Sequence, residues 1–308
     1  MGTLIGHVAP GLGFIWLGAW HLFCHTKLYV QKPTSYRSKP WFPTSTMRYL
    51  ELILILVGSF SSIAMELFIG PSKHHPLDTD GTIPTNHLHN FEHSAISMTF
   101  LIFAAFSILL DRARPAAEYG MSQLLGALAF AQQLFLFHLH SADHIGVEGQ
   151  YHLLLQIVVA VSFVTTLLGI PYRRSFLVSF VRSSSILFQG VWFVLMGFML
   201  WTPSLIPKGC FVNAEVGHEV VRCSDERSLH RARSLVNIQF SWYLSFITVG
   251  IMLFYLAIEK LYGDKSRYAY VIGEDLDFSD SEPYKRTEIG FAQMEAQALS
   301  SSQVNVER

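Results

Sequence analysis

Seven runs of apolar residues are separated by short polar stretches along this chain. The runs cover about Leu4–Cys24, Met47–Gly70, His87–Leu110, Gly120–His140, Tyr151–Ile170, Phe176–Trp201 and Leu235–Tyr262. Each is roughly 20 residues or more, the length needed to cross a ~30 Å hydrocarbon core as helix. The pattern predicts an all-α, polytopic helical bundle with seven transmembrane helices over residues 1–262. After Tyr262 the chain turns polar, acidic around Glu274–Glu282 and then rich in Gln and Ser. Residues 263–308 are expected to be a disordered acidic cytosolic tail.

Composition agrees with a membrane protein. The 308 residues are 51% hydrophobic and 15% charged, against about a quarter charged in soluble domains. The net charge of −1 gives no reason to expect a nucleic-acid partner. Three cysteines exclude a disulfide-dense scaffold. No nucleotide-binding glycine motif, nucleophile elbow or HExxH metalloprotease pattern occurs.

Loop charges set an orientation. Residues 25–48 carry Lys27, Lys32, Arg37, Lys39 and Arg48 with no acid, and residues 171–182 carry Arg173, Arg174 and Arg182 with no acid. These loops are expected on the cytosolic side, with the N-terminus outside and the C-terminus in the cytosol. The loop 203–234 mixes both signs and contains Cys210 and Cys223, which would pair in an oxidising lumen. The tail segment Tyr268-Ala-Tyr270-Val271 has the Tyr-x-x-apolar form read by sorting adaptors.

The stretch Phe137–Leu153 concentrates chemistry: His138, His140, Asp143, His144, Glu148 and His152 lie within it. It reads as the turn between the fourth and fifth spans. Span order places His7, Glu66, His93, His138, His140, Glu148 and His152 at a similar depth near the outer face. Ionisable groups at membrane depth are costly and face a bundle interior or cavity. Imidazole and carboxylate also ligate Zn²⁺ and Fe²⁺. The sharpest expectation is a shell of Glu66, His93, His138 and His152, one from each of four helices. A metal-bound water would then attack a lipid-like substrate, with Glu66 or Glu148 as base. A b-type haem held between two histidines is the alternative cofactor. A non-enzymatic scaffold with structural histidines, and a metal or proton transporter or sensor, are the alternative functions. His21 and Glu51 belong to no such cluster in the sequence and read as structural. Gly190 is expected to allow close helix approach, with Gln189, Gln132 and Gln133 bonding across the bundle.

Several of these pieces occur together in one known family. They are Gly6-His7 with Pro10-Gly11, Arg48-Tyr49-Leu50-Glu51, Glu66-Leu67-Phe68-Ile69, His93, His138-Leu139-His140, and Glu148 with His152. Arg182-Ser183-Ser184 through Gln189-Gly190-Val191-Trp192-Phe193 completes the set. With them the chain resembles the transmembrane protein 45 family, multipass proteins with a domain of unknown function. The segment Asp143–Val147 is longer here than in the animal members, and the chain looks plant-like. The resemblance implies seven membrane helices and an endomembrane location, in the Golgi or endosomes or at the plasma membrane. It implies no activity.

Overall fold

The computed structural model describes residues 4–70, 75–139, 146–215 and 218–263, with the side chains of 214–219 left aside. The tail, with Tyr268–Val271, lies outside the described residues, as do His140, Asp143 and His144.

Seven α-helices follow one another: α1 Leu4–Gln31, α2 Leu50–Ala64, α3 Leu88–Ala113, α4 Glu118–Leu139, α5 Gly146–Leu168, α6 Phe176–Trp201 and α7 Glu226–Tyr262. A π-helical turn, Met65–Ile69, extends α2. All but α1 are long and apolar enough to cross a membrane. His7, His21 and His25 break the apolar run of α1, and all three are buried. The fold is an all-α helical bundle, as the apolar runs predict.

The bundle buries polar groups beside an apolar core and turns apolar stripes outward. Gln123, Gln133, Gln189, Glu51, Glu66 and Arg182 are buried, whereas Met98, Ile102, Phe106 and Leu109 form an exposed stripe on α3. Leu153, Ile157, Val161, Val164 and Leu168 do the same on α5. A lipid environment rewards this arrangement, because hydrocarbon cannot satisfy polar groups.

The closest packing joins α1 to α6. A Cβ added at Gly18 would overlap the backbone of Leu187, and one at Gly190 would overlap the backbone of Ile15. The glycines let the two backbones touch, as expected for Gly190. Gln189 Nε2 donates to Gln133 Oε1 at 3.0 Å, tying α6 to α4. Trp192 Nε1 donates to the Tyr151 carbonyl at 3.1 Å, tying α6 to α5.

Several boundaries depart from the sequence pattern; α1, for one, runs on past Cys24 to Gln31. α5 begins at Gly146, not Tyr151. Gly146 has φ +85°, a conformation that L side chains rarely adopt, so the chain turns there and enters the helix at once. Arg182, tallied above with the basic loop, lies within the expected span, six residues into α6, and is 4% exposed. The loop 203–234 is ordered as a β-hairpin, β1 Cys210–Glu215 and β2 His218–Cys223, followed by the first turns of α7. Cys210 and Cys223 are register partners in the hairpin and form a disulfide.

Candidate functional site

Polar side chains gather at both ends of the bundle, in different ways. At the end carrying the hairpin, Glu66 sits on the π-helical turn and is 2% exposed. Its Oε2 accepts from Asn90 Nδ2 at 2.8 Å, and its Oε1 lies 3.4 Å from His93 Nδ1. Glu66 and His93 are thus brought together, joining α2 to α3. His7 instead stacks on Trp201 with ring centroids 4.5 Å apart, and its edge meets His152 at 6.0 Å. His152 Nδ1 lies 3.0 Å from the Glu148 carbonyl. A carbonyl only accepts, so Nδ1 carries the proton and donates within α5. His138 is exposed, and its Nδ1 lies 3.4 Å from Gln156 Oε1. Glu148 is buried in the first turn of α5.

Of the expected shell of Glu66, His93, His138 and His152, Glu66 and His93 are in contact. Among the described residues no three His, Cys, Asp or Glu side chains are placed to hold a metal ion.

The other end holds the denser network, built on residues that sequence position alone left apart. Glu51, 1% exposed, receives three partners. His21 Nε2 lies 2.7 Å from Oε1, while Trp20 Nε1 and the Phe42 amide donate to Oε2 at 3.1 and 2.9 Å. His21 and Glu51 thus bond to each other across 30 residues, at the end away from the outer-face histidines. Arg182 spreads its guanidinium over α4, α1 and the loop before α2. Nη1 donates to Gln123 Oε1 at 2.9 Å, and Nη2 reaches His25 Nε2 at 3.0 Å, the Lys39 carbonyl at 3.3 Å and Ser38 Oγ at 3.4 Å. Tyr36 closes the far side of His25 at 2.8 Å. Burial pushes the Tyr36 phenol up to about 12, so it stays protonated there. Arg48 and Tyr49 both reach Asp111, at 2.7–3.0 Å, and pin the start of α2 to the end of α3.

Between these groups lies a cavity of about 40 Å³, lined by His21, Glu51, Gln123 and Arg182 on one side and by Phe100, Phe103 and Phe130 on the other. His21 Nδ1 is buried with no hydrogen-bond partner. A space of that size suits one water, whose share of liquid volume is roughly 30 Å³.

Sequence reasoning missed Arg182 because it was counted with the basic loop before it. The signal was present: an arginine inside an apolar run is expensive and needs partners.

These helices form a multipass membrane-type bundle. Over residues 119–256 the chain matches the model of a family of unknown function (DUF716). The matched stretch runs from the first turn of α4 into the last third of α7 and includes Arg182, Gln189 and Trp192.

Proposed function

We propose that this chain is a non-enzymatic multipass scaffold of the transmembrane protein 45 kind. Its N-terminus is lumenal, its C-terminus is cytosolic, and it resides in endomembranes. Residues 263–308 form a disordered tail that offers Tyr268–Val271 to sorting adaptors. One observation carries this reading. The residues behind the resemblance link helices to one another. Arg48 and Tyr49 hold Asp111, Glu51 holds His21, Arg182 holds Gln123 and His25, and Trp192 holds the Tyr151 carbonyl.

Elemental analysis and an absorption spectrum of the purified full chain test it, with His138→Ala and His152→Ala beside the wild type. The expected outcome is no stoichiometric zinc or iron, no Soret band, and no metal difference between variants. One equivalent of metal lost in His138→Ala would overturn the scaffold. It would restore a metal site drawn from His7, Glu66, His93, His138, His140, Glu148 and His152, with Glu66 or Glu148 as base for a lipid-like substrate.

The unpartnered His21 Nδ1 beside the cavity favours a second reading, a proton sensor. Trp20 donates to the same carboxylate as His21, so its emission reports on the pair. A pH-dependent change in Trp20 emission that vanishes in Glu51→Gln would support the sensor. A change that survives in Glu51→Gln would remove it.

A further inference from the structure

A second cavity, of about 330 Å³, opens at the surface beside the start of α6, lined by Arg37, Pro171, Tyr172, Arg173, Arg174 and Ser175. Three of its lining residues are arginines and none is acidic. Among the described residues none of the three arginines forms an ion pair with a carboxylate. Like charges do not gather unbalanced without cost, so the arrangement calls for an anion.

The backbone that carries Arg37 and Arg173, and the Arg173 side chain, are held in place. The Ser38 amide donates to the Arg173 carbonyl at 2.8 Å, which fixes Arg37 next to the 171–175 turn. Ser38 is in turn held from inside by Arg182. The Arg173 guanidinium lies over the Tyr119 ring, 4.0 Å from its centroid, and Tyr119 is anchored by its hydroxyl to the Gly169 carbonyl at 2.7 Å. Ser175 caps α6 by accepting from the Val178 amide, leaving the positive end of a 26-residue helix beside the cavity.

We propose that this cavity binds a phosphate monoester, carried by a lipid headgroup or by a soluble phosphate. Guanidinium forks match phosphate oxygens two at a time. A phosphate monoester bears about −1.5 to −2 charges near neutral pH, which three arginines offset. A phosphodiester headgroup such as that of phosphatidylserine lacks this charge density on one phosphorus. The loop charges place the site on the cytosolic side, where anionic lipids concentrate.

Native mass spectrometry of the detergent-solubilised full chain tests the proposal without depending on orientation. The probes are phosphatidylinositol 4-phosphate, phosphatidylserine and soluble inositol 1,4-bisphosphate. The wild type is expected to retain phosphatidylinositol 4-phosphate over phosphatidylserine. Arg37→Gln/Arg173→Gln/Arg174→Gln should lower that retention on the order of tenfold. Lys208→Gln/Arg227→Gln/Arg231→Gln, which removes equal charge elsewhere, should not. The matching Arg→Lys triple keeps charge but loses the fork and should fall between. It also decides the matter if the Gln triple does not fold. Competition by inositol 1,4-bisphosphate at comparable affinity assigns the site to soluble phosphates, and its failure assigns it to lipid. Equal retention of both lipids, or equal loss in both Gln triples, would show diffuse charge attraction only and overturn the proposal. Metal content does not enter this readout, so the site stands or falls apart from the scaffold reading.

Discussion

Arg182 Nη2 lies 3.0 Å from His25 Nε2, joining α6 to α1 across 157 residues of chain. Arginine has only donors, so His25 Nε2 must accept. The proton of this imidazole then sits on Nδ1, 2.8 Å from the Tyr36 hydroxyl. One contact fixes a tautomer, and through it the position of the loop before α2.

Replacing Arg182 with Leu should therefore be severe. It strands the Gln123 oxygen, His25 Nε2 and the Lys39 carbonyl in a buried site. Each buried acceptor left unsatisfied costs about 1–3 kcal/mol. The unfolding midpoint in detergent should fall sharply. Arg182→Lys should recover less than half of the loss, since an ammonium cannot reach all acceptors in the plane of the fork. An unchanged midpoint in Arg182→Leu would mean the network does not hold the bundle.

The α1–α6 contact predicts a contrast among glycines. Gly18→Ala and Gly190→Ala place a methyl into opposing backbone, which cannot swing aside. Overpacking of this kind costs typically 1–3 kcal/mol. Gly13, Gly58 and Gly250 have nothing within 4 Å of an added Cβ. Ala at those positions should be neutral or stabilising, since Ala is favoured over Gly in helices by about 0.8–1.0 kcal/mol. Thermal melts of the five single variants in one detergent check the split.

The helices were legible because a membrane span must hide its whole backbone, so each writes a long apolar run into the sequence. The span Phe176–Trp201 matches α6 at both ends. Pairing between helices was less legible. Glu51 and His21 are 30 residues apart, and nothing linear says which faces meet. The histidines near residue 138 drew attention because they are dense in sequence. Density in a turn does not say which partner each ring takes, as His138 beside Gln156 and His152 beside the Glu148 carbonyl show. The hairpin Cys210–Cys223 was hidden because its strands are only six residues each and lie in a segment of mixed charge.

At the start of α7, Asp225 Oδ1 accepts from the Ser228 amide at 2.7 Å, the geometry of a helix cap. That backbone hydrogen bond holds the Asp225 carboxyl below the usual range. The sign follows: a depressed folded value means the cap contributes above the ordinary aspartate range and is lost as pH falls through the folded value. Protection of the Glu226–His230 amides, taken relative to intrinsic exchange at each pH, should fall on acidification below about pH 4. Asp225→Ala should show the lower protection already at neutral pH, with no further acid step. Asp225→Asn should remain capped at both.

The His21–Glu51 pair carries the last prediction. Both Glu51 oxygens receive donors, from α1 and from the backbone of the loop before α2. A carboxylate accepts, so His21 Nε2 donates, and Nδ1 is left facing the interior without a protein partner. An unmet buried nitrogen costs about 1–3 kcal/mol. The adjoining cavity of about 40 Å³, with Gln123 and Arg182 in its wall, offers the remedy of one ordered water. A high-resolution structure should show density within hydrogen-bond distance of His21 Nδ1. Two variants separate this from simple packing. Phe130→Trp, aimed at the apolar wall, should displace the water and lower stability. His21→Gln, which keeps a donor for Glu51, should lose the water and keep most of the α1–α2 link. A dry cavity in the wild type, or a His21→Gln variant as unstable as His21→Ala, would leave Nδ1 unexplained and the water idea without support.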